Sequence, residues 1–339
     1  MAVFKISEKI SELQNLRSNG ITWGLATGLA PLDELYSIAP GYPLFIAGSP
    51  HSAKTELQME YMVNTMVLYG WNWCCCYGEG GEVEDIFADL CHKLIGKPYR
   101  SGDNYSMSEV EKLQAEMFFD KHLYLIDDEK DYKLSEFYDE VALIEKKKNI
   151  KFHGTCFDPF NDLVDGASDF GGRDDKWLAS ELKLVRKISK KYKRVDVLVT
   201  HVGDIKPIVD KDTGKRYTPP ALPSEWALGR TWHRRGFVMV TTFIPPKWLK
   251  DEHGREYGEN ISIITIQKAK PKGTAKLGSC ILNWDWQRNK YFWYDNGMAT
   301  FAYDLNDKKH DPKKLTPNNT FERIDFTDPI ESEYKEIPF

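Results

Sequence analysis

The segment Gly48-Ser49-Pro50-His51-Ser52-Ala53-Lys54-Thr55 sets a lysine and a hydroxyl residue directly behind a run of small residues. The apolar run Leu44-Phe45-Ile46-Ala47 comes before it, and residues 55–69 have helical character. Between a strand and a helix this is the setting of a phosphate loop. Backbone N–H groups from Gly48 to Ala53 would cradle phosphates at the helix N-terminus, Lys54 would reach the terminal phosphates, and Thr55 would ligate Mg²⁺. One position departs from GxxxxGK[ST]: Ala53 stands where the second glycine belongs. If the backbone there needs positive φ or close approach of a phosphate, the methyl group costs affinity. An ordinary strand–turn–helix that happens to hold a lysine fits the same string.

Three more side chains fall where phosphate chemistry would use them. Glu79, in Tyr-Gly-Glu-Gly-Gly just past the next strand-like run, could orient and deprotonate an attacking water. Asp158 ends the run Lys-Phe-His-Gly-Thr-Cys-Phe, where a carboxylate can hold Mg²⁺ through water. His201 ends a β-branched run, where an imidazole could touch a γ-phosphate and report its loss. Each has a plainer reading: a solvated turn residue, a cap before Pro159, a satisfied strand-end histidine. Together they describe strand C-termini meeting at one edge of a parallel sheet, where such folds bind ligands.

The elements that must position them follow from periodicity. Strands are expected at 44–47, 71–77, 122–126, 152–157 and 195–200, and helices at 55–69, 83–95, 134–148 and 174–192. Alternation of this kind argues for a mostly parallel sheet covered on both faces. After residue 236 the pattern changes to successive strands at 237–243, 261–266, 279–285 and 291–294, the last two a hairpin around Arg288-Asn289. Phe4, Ile6, Ile10, Leu13 and Leu16 recur at helical spacing ahead of an Asn19-Gly20 stop. Such a helix docks on its own core or on a neighbouring subunit. The expected organisation is an N-terminal helix (1–20), one α/β domain (21–305) and a mobile acidic tail (306–339).

Composition bounds the class. With 339 residues and 41% hydrophobic content, the chain can bury a large core and is not of disordered type. No apolar run is long enough to span a membrane, so no membrane partner is expected, and the mixed-charge N-terminus is unlike a targeting peptide. Six cysteines without zinc-type spacing read as reduced, intracellular thiols, and the expected location is the cytoplasm, that of the host if a phage encodes the chain. The net charge of −5 argues at first against nucleic acid. Residues 321–339, however, hold six acids and two bases, so nearly all of the excess sits in the tail.

The order of these segments resembles the DnaB/Twinkle-type replicative helicases. Thr27-Gly-Leu-Ala-Pro-Leu-Asp33-Glu-Leu followed by the phosphate loop is similar to their opening, and Gly78-Glu79-Gly-Gly-Glu-Val-Glu-Asp to their post-strand glutamate segment. Phe157-Asp158-Pro-Phe-Asn161 resembles the Walker B segment of phage and Twinkle-like members. Thr200-His201-(x)4-Lys206-Pro207 resembles their His-x-x-Lys sensor with two extra residues, and residues 229–235 the Gly/Trp/Asn-Arg stretch before the next strand. Ile266-Gln-Lys268-Ala-Lys270 resembles the Lys-x-Arg finger, with Lys270 where arginine is usual. The likeness runs in order from about residue 20 to 295.

The resemblance implies a RecA-like P-loop NTPase core without a primase domain, assembled as a hexameric ring with ATP and Mg²⁺ between subunits. By position, Lys54 and Thr55 would bind phosphate and Mg²⁺, Glu79 would be the base, Asp158 the Walker B acid and His201 the γ-phosphate sensor. Lys268 and Lys270 would reach the neighbour's nucleotide, lysine supplying charge without the planar fork of arginine. The N-terminal helix would pack on the adjacent subunit. Single-stranded DNA would pass through the ring, touched by Arg173 in one loop and by Lys206, Lys211, Lys215 and Arg216 in a longer one, with little sequence preference. Ile337, Pro338 and Phe339 end the tail as in bacterial single-stranded-DNA-binding proteins, which suits a replication partner such as a polymerase, primase or loader. A solvated end is the alternative.

The expected activity is an ATP-dependent replicative helicase, 5′-to-3′ by the family's polarity. Two other classes fit part of the pattern: a RecA/KaiC-like recombination or regulatory ATPase, and a ring-forming loader or adaptor with weak hydrolysis.

Overall fold

The structure, a computed structural model, describes residues 5–19, 24–100, 102, 105–163, 166–251, 253–270, 275–303 and 305. In chain order it contains α1 (Ile10–Asn19), α2 (Ala30–Asp33), β1 (Leu44–Gly48), α3 (Lys54–Tyr69), β2 (Trp73–Tyr77), α4 (Val83–Ile95), α5 (Glu109–His122) and β3 (Leu123–Ile126). There follow α6 (Leu134–Lys148), β4 (Gly154–Asp158), α7 (Asp174–Tyr192), β5 (Val195–His201), β6 (Ile208–Val209), β7 (Arg216–Tyr217) and α8 (Thr231–Arg235). The chain then runs through β8 (Val238–Phe243), β9 (Ile261–Lys268), β10 (Gly278–Asp285), β11 (Lys290–Asp295) and β12 (Met298–Phe301).

Ten strands form one sheet in the order β12-β11-β10-β9-β8-β1-β5-β4-β2-β3. From β8 to β3 all neighbours are parallel, whereas β9 to β12 extend the sheet antiparallel. The apolar runs of β1 and β2, and the more mixed β4, are buried at every position, as a sheet covered on both faces requires. One core lies on the side of α3 and α4 and includes Leu57, Met62, Trp73 and Leu90. The other lies on the side of α6, α7 and α8 and includes Phe137, Leu182, Trp226 and Trp232. Each large side chain so buried contributes roughly 1.5–3 kcal/mol. Helix α3 is buried on nearly all sides, its enclosed polar residues Glu60 and Asn64 finding hydrogen-bond partners, and Gly70 ends it in the left-handed conformation.

Two polar arrangements fix the frame. The Asp33 carboxylate accepts from the N–H groups of Thr27 (2.5 Å) and Gly28 (3.2 Å), while Asn64 Nδ2 donates to Thr27 O. The Thr-Gly…Asp string is therefore a self-capped turn packed on α3. Deeper in, Lys93 of α4 contacts Glu56 (3.1 Å) and Glu60 (3.3 Å) of α3 and donates to Asn289 O. Glu60 also accepts from Tyr291 N, and Tyr303 OH donates to Lys93 O. Burial raises the Glu60 carboxyl above its ordinary range, opposed by the nearby Lys93 and Lys290.

Differences from the expected elements are local. Helices α2, α5 and α8 and strand β12 are additional, β4 begins later than expected, and the stretch after β5 carries the small hairpin β6–β7 in place of a plain loop. Helix α1 forms, following a 3-10 turn at Ile6–Lys9, with Ile6, Ile10 and Leu13 exposed. Phe4 and the acidic tail, with Ile337, Pro338 and Phe339, lie outside the described residues. All six cysteines are free and buried.

Candidate functional site

Because six neighbouring strands are parallel, the segments after β1, β2, β4 and β5 leave from one edge. At the first of these, β1 ends on a glycine for a steric reason. A β-carbon at Gly48 would lie 2.2 Å from Ser52 Oγ and 2.6 Å from Thr242 Oγ1. Those two hydroxyls are hydrogen-bonded at 2.9 Å and tie the loop to β8. His51 and Ala53 both have left-handed backbones, with φ of 59° and 63°. Ala53 is the N-cap of α3 and has no side-chain acceptor, so no side chain caps the first N–H groups of the helix.

Ala53 therefore stands at a position with positive φ, the conformation that glycine adopts without strain. The left-handed conformation costs a β-carbon-bearing residue about 1–2 kcal/mol, part of which glycine returns through its freer unfolded chain. Ala53→Gly is expected to stabilise the fold by about 0.5–1 kcal/mol, read as a higher urea midpoint at constant slope. A lower midpoint would show that the methyl group packs favourably.

Lys54 is buried, with its Nζ 3.2 Å from Ser49 O. Burial depresses its ammonium, while Asp158 and Glu79 favour the charged form. Thr55 Oγ1 donates to Asp158 Oδ2 at 2.7 Å, joining the start of α3 to the end of β4. Asp158 is only 4% exposed, and burial pushes its carboxyl up to about 6 against the favourable Thr55 bond and Lys54 charge. His201 Nε2 lies 3.0 Å from Glu79 Oε1, bridging the ends of β5 and β2. Glu79 itself is 60% exposed, open to solvent and to a ligand. Beside Ala53 and Glu56 lies a cavity of about 380 Å³ lined also by Ile244, Trp284 and Tyr291, a volume in the range of small-molecule sites.

Lys54, Thr55, Glu79, Asp158 and His201 thus meet at one sheet edge. Lys268 and Lys270 do not join them. Lys268 pairs with Met239 near the start of β8, at the opposite end of the strands from Gly48. It donates to His233 O, and burial with the Lys270 charge lowers its ammonium to about 8. Arg173 precedes α7 and is engaged by Asp175 at 2.8 Å. Lys206, Lys211, Lys215 and Arg216 are exposed on and around the β6–β7 hairpin, with Lys215 over the Trp248 ring at 5.4 Å. Thr242, Ile244 and Trp284 went unnoticed in the sequence because they meet the loop and α3 only across long sequence separations. Asn161 stood within a quoted motif, but nothing in its spacing showed what it touches.

A parallel sheet, a phosphate-type loop on its edge and an antiparallel extension define the RecA-like P-loop ATPase fold. Among solved structures, the ATPase domain of G40P matches with a TM-score of 0.66 at 12% identity, over 86% of this chain and 99% of its own. A DnaB-like replicative helicase, described with its interactions with primase, matches with a TM-score of 0.61 at 11% identity, over 86% of this chain and 67% of its own. A Twinkle homolog protein, chloroplastic/mitochondrial, of Arabidopsis thaliana is 31% identical over 153 residues, 43% of this chain. That match spans 21% of the plant protein's length. No family model matches the chain. The chain is thus similar in fold to DnaB-type helicase ATPase domains over 86% of its length, and in sequence to the Twinkle homolog across the matched segment. Among the described residues no helix is long and apolar enough to cross a membrane.

Proposed function

We propose that the chain is the ATP-hydrolysing motor of a ring-shaped replicative DNA helicase. The observation that carries this reading is the meeting of Lys54, Thr55 and Asp158 with the Glu79–His201 pair at the edge bearing the phosphate-type loop. Uncapped N–H groups at α3 and the Lys54 ammonium suit a triphosphate, and the adjoining cavity suits a base and ribose.

The donor set fits Mg²⁺. A hydroxyl and a carboxylate 2.7 Å apart are hard oxygen ligands, and this ion keeps waters and substrate phosphates as its other ligands. Thr55 and Asp158 would hold it, Asp158 through water. When bound, Mg²⁺ neutralises charge on the phosphate oxygens. Glu79 takes a proton from the attacking water as the new bond to the γ-phosphorus forms. The bond to the β–γ bridging oxygen breaks, and its electron pair leaves on ADP. His201 contacts the γ-phosphate and senses its departure.

The sheet geometry supports a role in trans for Lys268 and Lys270, since they lie away from this chain's own loop. The exposed Ile6, Ile10 and Leu13 support docking of α1 on a neighbouring subunit, and the subunits close into a hexamer. Arg173 and the basic residues around β6–β7 follow β4 and β5 and track single-stranded DNA by its phosphates. The acidic segment holding Ile337, Pro338 and Phe339 serves a replication partner, its carboxylates and aromatic ring suiting an apolar pocket with a basic rim.

ATP turnover with and without single-stranded DNA, together with unwinding of a forked duplex, tests the whole reading. DNA-stimulated turnover and 5′-to-3′ unwinding are expected. ATP binding without unwinding would instead identify a loader or adaptor.

A further inference from the structure

The side chains assigned above as base and sensor lie beside a short turn that contacts the strand ends carrying them. After β4 the chain makes a short 3-10 turn, Phe160–Asp162, and its three side chains face three different ways. Phe160 is fully buried, stacked on Trp177 (5.6 Å) and edge-on to Trp232 (5.2 Å). Close-packed aromatics of this kind leave the turn little freedom. Asn161 Oδ1 accepts two hydrogen bonds from the end of β5, one from Thr200 Oγ1 at 2.8 Å and one from His201 N at 3.0 Å. Asp162 reaches the other side of the site, where a β-carbon at Gly78 would lie 2.7 Å from its Oδ2. Gly78 N in turn donates to Asp158 O at 2.8 Å.

One rigid turn therefore touches the backbone on both sides of the 3.0 Å contact between His201 Nε2 and Glu79 Oε1. We propose that Asn161 is a positioning residue, whose side-chain oxygen holds the end of β5 so that the His201 imidazole meets Glu79. The inference rests on the assignment of Glu79 as base and His201 as sensor, and adds a residue to that site. A single oxygen with two donors is a direct restraint: remove it, and Thr200 Oγ1 and His201 N both lose their partner. The end of β5 is then free to shift, and displacements near 1 Å at reacting groups can cost about 100-fold in rate.

Asn161→Leu keeps the branched outline at a larger volume and removes the acceptor, whereas Asn161→Asp keeps an acceptor oxygen in place. In the full chain, ATP turnover by Asn161→Leu is expected to fall roughly 10–100-fold, with nucleotide Kd changed by less than about twofold. Asn161→Asp should recover most of the lost rate. Should Asn161→Leu fail to fold, Thr200→Val removes one of the two donors and is expected to show a smaller loss of the same kind. Equal rates for the leucine and aspartate variants, or a loss of Kd and turnover together, would overturn the proposal.

A readout independent of turnover is the imidazole ¹⁵N spectrum of His201. Its signature of a bond to Glu79 should persist in the wild type and in Asn161→Asp and vanish in Asn161→Leu. An unchanged spectrum in Asn161→Leu refutes the positioning role. An unmodified chain that turns over no ATP refutes the functional reading instead, and the spectrum still decides the role of Asn161.

Discussion

Replacing Lys54 with alanine weakens nucleotide binding about a hundredfold while the fold survives. The ammonium is buried, and among the described residues it donates to the Ser49 carbonyl. Asp158 and Glu79 relieve only part of the desolvation cost of this cation. A triphosphate supplies the missing charge. A hydrogen bond to a charged group is worth about 1.5–3 kcal/mol, and the upper value, suited to a desolvated site, corresponds to about two decades in Kd. Removing the charge also removes its desolvation, so the thermal midpoint should hold or rise. Titration of a fluorescent ATP analogue alongside a melting curve checks both halves. Unchanged affinity would remove the phosphate-loop assignment, and collapse of the fold would mean that the lysine is structural.

The second large effect is kinetic. Glu79→Gln is expected to lower ATP turnover by about 10²–10⁴-fold, the range for loss of a general base, with nucleotide Kd nearly unchanged. The amide keeps an acceptor for His201 Nε2 but no longer takes a proton at neutral pH. Glu79 is largely exposed and lies in the turn after β2, so the substitution removes no core packing. Single-turnover hydrolysis against equilibrium binding separates the two quantities. Wild-type turnover in the variant would transfer the role to another carboxylate at this edge, such as Asp162, which lies beside Gly78.

The site was legible where local sequence governs geometry. A short apolar strand, a tight loop and a helix place Lys54 and Thr55 without help from the rest of the chain. The β-branched run 195–200 predicted where His201 would emerge, and β5 ends there. Two missed elements had local signals. Ser108 accepts from Glu111 N while Glu111 accepts from Ser108 N, a capping box that announces α5. Asn296-Gly297, both with positive φ, is a strong hairpin turn pair and announces β12.

The illegible part is tertiary. Ser52 meets Thr242 and Thr200 meets Asn161 only because β8, β1, β5 and β4 lie side by side, and no periodicity carries that order. The backbone at Ala53 was open in the same way: the sequence posed the question of positive φ, and the loop geometry answered it.

The ion pairs between α3 and α4 bear on where this chain can be cut. It would be natural to take the last parallel strand, β8, as the boundary of a minimal ATPase and to treat β9 to β12 as an accessory. Lys93 and Glu60, however, draw their neutral partners from Asn289 and Tyr291, and Tyr303 reaches back to the Lys93 carbonyl. A fragment ending at β8 would keep both charges and lose the carbonyl, amide and ring that enclose them, next to the helix carrying the phosphate loop. The smallest self-sufficient piece therefore extends to Tyr303, and a fusion joint or affinity handle belongs beyond it.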